Sequence, residues 1–237
     1  MKILFIALVF TLSLTAGVYK AKVEPYDRVT ISSETSGRIV QLDQKDELKT
    51  VNKKVMIIDH KLESLKLENG KKKLKILKKL IAIKQNQYDR IKDLKGQSRT
   101  TKERYKSELL NLLMQRSDLE NSIAALEDLI SKKEIFIKNR YLKKLYVRKG
   151  AFVAPGVKLM DVEDHSGSRI VIYVDAEDRE NIRNKKIKVQ GESDHGYEIE
   201  KAATSTDERY LSSYRVELVK EGGGMFGKVV TIEIGEE

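Results

Sequence analysis

Hydrophobic residues recur at spacings of three and four through the middle of the chain. In the second half of this stretch the row is regular over more than four heptads, and a strict 3.5-residue repeat is the signature of a left-handed coiled coil. The row comprises Tyr105, Leu109, Leu112, Arg116, Leu119, Ile123, Leu126, Ile130, Lys133 and Ile137. The first half is less regular: Leu67, Leu74, Ile81 and Tyr88 are spaced seven apart, and Leu77 and Ile91 lie three residues beyond members of that row.

These two halves are predicted to form an antiparallel helical hairpin over residues 61–137. No proline interrupts the stretch from His60 to Lys138, and Gly96-Gln97-Ser98 lies where the chain would reverse. At the helical rise per residue, each arm of about 35 residues extends about 50 Å. A two-helix arm has a thin core, which favours a projecting element that binds a partner.

Short alternating apolar runs lie on both sides of the predicted hairpin. They occupy residues 29–31, 37–42 and 51–59 before it, and residues 141–147 and 150–162 after it. The two flanks look like a diverged internal repeat, and each is too small to bury a core alone. They are therefore predicted to form one split β-sandwich from residues 29–60 and 138–165.

Five further strand candidates follow a Ser166-Gly167-Ser168 linker. They are residues 169–174, 187–190, 197–200, 214–219 and 229–234, with a short helix around 176–183. Turns at regular spacing favour a small β-barrel over residues 168–237. The predicted fold class is α+β, with a coiled-coil α-hairpin inserted in a split β-sandwich and a β-barrel after it.

The N-terminus has the layout of a secretory signal peptide over residues 1–17. A basic start, Met1-Lys2, precedes an apolar run from Ile3 to Ala16 that ends in small residues. The run is shorter than a comfortable membrane span, although an uncleaved N-terminal anchor is the alternative. In either case the rest of the chain is expected outside the cytoplasm, which argues against a nucleic-acid partner.

Composition adds exclusions and a charge asymmetry. The 237 residues carry a formal net charge of +10 and contain no cysteine and three histidines, which excludes disulfides, thiolate metal sites and cysteine nucleophiles. Residues 61–106 hold 16 basic and 5 acidic residues, a net charge of +11, whereas residues 161–237 hold 11 and 18, a net charge of −7. The positive charge is thus a property of the hairpin.

Several polar groups are interpreted as ordinary surface. The basic stretch from Lys71 to Lys79 is predicted to be a solvated helix face. An acidic group without a nearby histidine or cysteine is interpreted as solvated surface rather than as a metal or acid/base site; its members are Asp175, Glu177, Asp178 and Glu180. Three tyrosines are expected in the core or rim of the barrel: Tyr197, Tyr210 and Tyr214.

This order of elements behind an export signal resembles the periplasmic adaptor family, the membrane fusion proteins of the HlyD type. In that family the split sandwich is a lipoyl-like (biotinyl-lipoyl-like) domain whose second half carries a glycine and valine pattern. That pattern is matched here by Gly150, Val153, Gly156, Leu159 and Val162-Glu163-Asp164. The first half departs from it, because Asp46-Glu47 and Lys54 stand where glycines are expected. Gly224-Met225, shortly before Val229, is similar to the turn that precedes the family's last barrel strand.

The hairpin turn carries the most specific part of the resemblance. Adaptors that dock onto TolC-like outer-membrane channels have Arg, Leu four residues later and Ser seven after that, and Arg90, Leu94 and Thr101 fall at this spacing. Threonine replaces the usual serine, and Ser98 is a nearby substitute. Arg90 offers charge-assisted donors, Leu94 an apolar plug and Thr101 an N-cap for the second helix. Spacing alone favours the alternative, in which Arg90 and Leu94 are ordinary coiled-coil residues and Thr101 is only a cap; the signal peptide, hairpin and split flanks in the same chain favour docking.

The resemblance implies a non-enzymatic periplasmic adaptor associated with the inner membrane. Its expected partners are an inner-membrane transporter, of the proton-driven RND class or less favourably the ATP-driven ABC class, a TolC-like channel, and further copies in a ring, most simply a hexamer. No lipoyl or biotinyl cofactor is expected, because the hairpin occupies the junction where a modified lysine would lie. No metal or catalytic residue is expected, because the sequence shows no catalytic cluster. The alternatives are a type I secretion adaptor and a structural coiled-coil envelope protein without a transport role.

Overall fold

The computed structural model describes residues 17–180, 182–190, 196–210 and 212–235. The predicted signal peptide therefore lies outside the described residues, except for Gly17. The described residues form two compact units, one of residues 30–161 and one that combines the described residues before 30 with those after 161. Two long strands, β1 (Gly17–Ser32) and β6 (Lys158–Val174), contribute residues to both units.

The unit of residues 30–161 contains a small antiparallel sheet from which the helices project. Its further strands are β2 (Gly37–Leu42), β3 (Lys49–Ile58), β4 (Glu134–Leu145) and β5 (Phe152–Val153), hydrogen-bonded in the order β5-β2-β3-β4. Alternate positions of these strands are apolar, and they supply a buried core that includes Ile39, Val55, Ile58, Leu142 and Leu159. The predicted strand pairs on either side of the hairpin are thus present, and they belong to one unit.

The hairpin consists of α1 (Lys61–Lys92) and α2 (Arg99–Lys133), which lie between β3 and β4 in the chain. On α2 the predicted heptad row is the least exposed row, and Leu109, Ile123 and Lys133 are buried. On α1 the partly buried row contains the predicted apolar residues together with polar and small residues at positions between and before them. All these positions together form a 3.5-residue repeat along the length of the helix. This row comprises Glu63, Leu67, Gly70, Leu74, Leu77, Ile81, Lys84, Tyr88 and Ile91. The contact between the two rows is called the seam below.

Gly70 fills a seam position where the two helices approach closely. A Cβ atom at this residue would lie 3.2 Å from Cγ1 of Ile123. The glycine therefore makes room for the isoleucine opposite it and does not interrupt the helix. Because glycine lacks an apolar side chain, the hydrophobic pattern alone gave no reason to place it in the seam.

The second helix ends at Lys133, four residues before the predicted end of the hairpin at 137. Residues 134–137 begin β4 instead, where Ile135 pairs with Met56 and Phe136 with Lys54 of β3. β-branched and aromatic side chains favour a strand when a partner strand is available. Ile137, the last member of the predicted heptad row, is accordingly buried in the sheet.

The second unit is a β structure with a separate core. It adds a helical turn, α3 (Ala176–Arg179), and four strands: β7 (Lys186–Val189), β8 (Glu198–Ala202), β9 (Tyr214–Glu221) and β10 (Val229–Gly235). Its strands are hydrogen-bonded in the order β8-β9-β6-β1-β10-β7. The core residues are Val23, Ile170, Ile172, Val174, Ile182, Val216, Leu218, Val230, Ile232 and Ile234. Each of the five predicted strands occurs here, whereas the pairing of β1 with β10 was not predicted.

Candidate functional site

The candidate docking site is the tip of the hairpin, which is built by the two helix ends. Arg90 lies exposed in the last turn of α1, which ends at the C-cap Asp93. The backbone N–H of Leu94 donates to the carbonyl of Ile91 at 3.2 Å, and the Leu94 side chain is 49% exposed. An apolar side chain left exposed at a polar turn is available to a partner.

The start of α2 is capped by Ser98 and not, as predicted, by Thr101. Ser98 has extended backbone angles, and its Oγ accepts the backbone N–H of Thr101 at 3.2 Å. The two hydroxyl oxygens lie 2.9 Å apart. Thr101 is the third helical residue, so its N–H is one of the donors that an N-cap satisfies. The prediction failed because serine and threonine are both favoured caps and only the backbone angles distinguish them.

Charges at the tip divide into paired and free groups. Lys92 lies 2.8 Å from Asp89, and this hydrogen bond is the main cause that raises the pKa of Lys92 and lowers the pKa of Asp89. Arg99 pairs with Glu103 at 2.7 Å. Within the described part of the chain Arg90 makes no ion pair or hydrogen bond, so its guanidinium is free to bind a partner. The structure places Arg90, Leu94 and Thr101 at the same end of the hairpin.

The base of the hairpin carries a polar clamp that sequence reasoning missed. The Lys133 ammonium, whose side chain is 8% exposed, donates to Glu63 Oε1 at 2.7 Å and to the Asp59 carbonyl at 2.9 Å. The hydrogen bond from Lys133 is the main cause that holds the pKa of Glu63 below its ordinary value. The clamp joins the end of α2 to the start of α1. The sequence signal for this clamp was a lysine at the last heptad position of α2 and a glutamate at the first heptad position of α1.

A second polar group ties the base of the hairpin to the sheet. Glu134, the first residue of β4, contacts Lys54 of β3 at 2.6 Å and His60 Nε2 at 3.2 Å. His60 Nδ1 lies 2.8 Å from Ser64 Oγ in the first turn of α1. The hydrogen bond from Lys54 is the main cause that lowers the pKa of Glu134. These contacts anchor both helices at the sheet and leave the tip as the free end.

Three members of the acidic group after β6 are exposed, as predicted, namely Asp175, Glu177 and Glu180, whereas Asp178 is partly buried. Asp175 caps α3 through the backbone N–H of Asp178 at 2.8 Å, and the Asp178 carboxylate accepts the Tyr19 hydroxyl at 2.5 Å and lies 3.3 Å from Lys185. Burial and this hydrogen bond raise the pKa of Tyr19. Asp178 is therefore a structural acceptor for β1. Among the described residues, no group of three or more histidine, aspartate or glutamate side chains is placed to hold a metal ion.

The remaining predicted surface features agree with the structure. Tyr197 and Tyr214 pack against the core of their unit, and Tyr210 stacks on Tyr173 with ring centroids 4.3 Å apart. The basic stretch from Lys71 to Lys79 is mostly exposed. In the described part of the chain, no helix has both the length and the apolar character required to cross a membrane.

Comparison with known proteins rests on structure, because neither a family model nor a curated protein sequence matches this chain. A protein from Bacteroides eggerthii, crystallised as a candidate efflux transporter, is similar with a TM-score of 0.68 and 14% identity over 99% of this chain and 73% of its own. The membrane fusion protein Spr0693 from Streptococcus pneumoniae has a TM-score of 0.67 and 8% identity, over 93% and 99% of the two chains. A MacA-MexA chimera that contains the α-hairpin domain of Pseudomonas aeruginosa MexA has a TM-score of 0.63 and 16% identity, over 94% and 82%.

These similarities define a class of fold: two long helices that project from a largely antiparallel β structure. The chain has the fold of the membrane fusion proteins, also called periplasmic adaptors. The resemblance found in the sequence is thereby confirmed at the level of the fold.

Proposed function

We propose that this chain is a non-enzymatic periplasmic adaptor that connects an inner-membrane transporter to a TolC-like outer-membrane channel for efflux. The observation that carries the proposal is the fold shared with a membrane fusion protein and with an efflux-transporter structure over nearly the whole chain. In this role residues 29–60 and 138–165 form the split lipoyl-like domain, residues 61–137 the hairpin and residues 168–237 the barrel. The adaptor is associated with the inner membrane, and several copies assemble into a ring.

The hairpin tip is the proposed contact with the channel, through Arg90, Leu94 and Thr101. Arg90 has no ion-pair partner among the described residues, and Leu94 is half exposed. A planar guanidinium forms bidentate hydrogen bonds with carboxylates and also donates to carbonyls, while a leucine fills an apolar pocket. The Thr101 hydroxyl already contacts Ser98, so it contributes to docking mainly by shaping the start of α2.

The transporter is proposed to belong to the RND class rather than the ABC class. The basis is arm length: α1 has 32 residues and α2 has 35, which resembles RND-associated adaptors somewhat better. In either case the energy for transport comes from the partner, and the adaptor acts by contact. The acidic barrel end and the basic hairpin then contact different partners.

Capture of the channel after crosslinking tests the docking proposal. The Arg90→Asp, Leu94→Ala double variant is expected to lose capture, because it reverses the free charge and removes the apolar plug. A matched control is Leu62→Ala with Lys66→Asp, which changes the same residue classes at the same spacing near the base of α1 and is expected to retain capture. Unchanged capture by the tip variant would overturn the docking assignment.

A further inference from the structure

The strands of the second unit leave an opening at one edge of its β structure. They are hydrogen-bonded in the order β8-β9-β6-β1-β10-β7, and within the described residues the first strand, β8, is not hydrogen-bonded to the last, β7. A fully closed sheet would pair these two strands. The described β structure is therefore open between β7 and β8.

A small apolar cavity of about 250 Å³ lies at this opening. Its apolar lining comes from Ile187 of β7, Ile199 of β8 and Tyr197, which directly precedes β8. All three side chains are partly buried and pack against the core of the unit. The opening therefore presents an apolar surface that is continuous with the core.

A second cavity, of about 470 Å³, adjoins the first. Arg183 lines both cavities, so they meet at its side chain. Four of the six residues that line the larger cavity are polar, and two of these are arginines. The lining consists of Arg179, Ile182, Arg183, Asn184, Ala202 and Thr204.

Arg179, the last residue of α3, is held in place at the wall of the larger cavity. Its Nε donates a hydrogen bond to the carbonyl of Ala203 at 2.6 Å, which fixes the plane of the guanidinium. Among the described residues, its two terminal nitrogens have no hydrogen-bond or ion-pair partner. An arginine that is anchored in this way loses little further freedom when its terminal N–H groups bind an oxyanion.

Arg183 is an exposed cation that the neighbouring acids leave unpaired. Within the described part of the chain its side chain makes no ion pair and no hydrogen bond. Glu177 and Glu180 lie close in sequence but pair with neither arginine, and the carboxylate of Asp178 lies 3.3 Å from Lys185. Residues 161–237 carry a net charge of −7. Two unpaired guanidinium groups at one cavity of such an acidic region form a local site for an anion.

We infer that the two cavities form one binding site for a small anionic amphiphile. A carboxylate or phosphate group binds Arg179 and Arg183, and the apolar body lies on Ile187, Tyr197 and Ile199. The larger cavity is within the range of about 300 to 1,000 Å³ that is typical of small-molecule sites. The inference goes beyond the proposed function, because an adaptor that acts by contact requires no small ligand.

The charges around the smaller cavity fix the orientation of the ligand. Glu198 also lines this cavity, and it would repel an anionic group placed there. Lys185, the other charged residue besides Arg183 in this lining, is already close to Asp178. The anionic group is therefore expected at the arginine end and the apolar body at the opening between β7 and β8.

Equilibrium dialysis of the full chain tests the site with probes of defined charge and length, used below their micelle concentrations. Decanoate and decyl phosphate present the two anionic groups on the same apolar chain, and saturable binding of either one is expected. Butanoate and inorganic phosphate lack the apolar body and are expected to bind at least tenfold more weakly. Decyl glucoside has the same chain without a charge and is also expected to bind at least tenfold more weakly.

Substitutions at the two ends locate the bound probe. Arg183→Gln is expected to raise the Kd for the decyl anion about tenfold, since one charge-assisted interaction is lost. The matched control is Arg209→Gln, which removes an exposed arginine of the same unit that lines neither cavity and is expected to leave the Kd unchanged. Ile199→Ala shortens the apolar surface and is expected to raise the Kd about fivefold.

Four results would overturn the inference. An unchanged Kd in Arg183→Gln, with an unchanged circular dichroism spectrum, would place the bound probe elsewhere on the chain. Equal binding of decyl glucoside would remove the anion requirement, and equal binding of butanoate would remove the role of the apolar opening. Absence of saturable binding of both decanoate and decyl phosphate would remove the site itself.

Discussion

The clamp at the base of the hairpin gives the sharpest test of what holds the two helices together. In the Lys133→Met variant the aliphatic stem stays in place and the ammonium group is removed. The Glu63 carboxylate, whose side chain is 22% exposed, then loses the ammonium group that it contacts at 2.7 Å, and the carbonyl of Asp59 loses a donor. Both acceptors are left partly buried without their partner.

The expected loss of unfolding free energy is about 2 to 3 kcal/mol. An orphaned carbonyl costs about 1 kcal/mol. Removing one member of a fully buried ion pair costs about 3 to 5 kcal/mol, but partial exposure lets Glu63 turn toward water, which reduces its share to about 1 to 2 kcal/mol. Urea unfolding followed by the helical circular dichroism signal measures the sum.

The neighbouring residue provides a matched control. Lys132 pairs with Asp128 at 2.7 Å, but its side chain is 39% exposed, and exposed pairs of this spacing contribute little to stability because solvent screens them. Lys132→Met is therefore expected to be nearly neutral. A loss for Lys133→Met that is no larger than the loss for Lys132→Met would refute the clamp.

The pH dependence gives a second readout of the same pair. The pKa of Glu63 is lower in the folded protein than its ordinary value of 4.5, so the folded state favours the ionised carboxylate. Its contribution is therefore fully present above pH 4.5 and is lost as the pH falls through the lowered folded pKa. In Lys133→Met this part of the acid sensitivity is expected to disappear, and an unchanged slope below pH 4.5 would contradict the assignment.

Substitutions at three further positions test local features of the same unit. Gly70→Ala is expected to raise stability by about 0.5 kcal/mol, because the gain in helix propensity exceeds the small shift required of Ile123, whereas Gly70→Leu is expected to lower it in the same urea assay. Ser98→Ala removes the cap of α2 and is expected to cost about 1 kcal/mol, seen as faster amide exchange in the first helical turn. Hydrogen bonds from Thr30, first, and from Tyr146, second, lower the pKa of Asp161. Tyr146→Phe removes the second of these bonds, so the carboxylate is expected to titrate at higher pH by NMR, while titration at an unchanged pH would contradict this role.

The seam on α2 was predictable because its residues are mostly large and apolar at a fixed spacing. The seam on α1 was predicted only in part, since Glu63, Gly70 and Lys84 occupy three of its positions. Their partners lie on the other helix, and a pattern along one helix contains no information about them. With these three residues included, the 3.5-residue repeat of α1 is complete in the sequence. A row of hydrophobic residues alone does not show it.

The first part of strand β1, residues 17–28, was missed for a related reason. Residues 20–25 alternate charged with small side chains, and locally they look like a polar linker after an apolar run. Their pairing partner is β10, near the other end of the chain, where Ala21 pairs with Val230. The strand is fixed by this distant partner and by the contact of Tyr19 with Asp178, and neither is visible in a local pattern.

The clamp and the proposed docking tip are separable, because the register of the helices is fixed independently at each end. A slip of one heptad would move the arms by about 10 Å relative to each other, and the short turn from Asp93 to Ser98 cannot absorb that shift without unwinding a helix. The capped turn therefore keeps Arg90 and Leu94 in place even when the base is weakened. Lys133→Met is expected to lose stability yet capture the channel like the unmodified chain below its unfolding transition. If capture fell in proportion to stability, the tip would depend on the base, and the assignment of docking to the turn alone would be wrong.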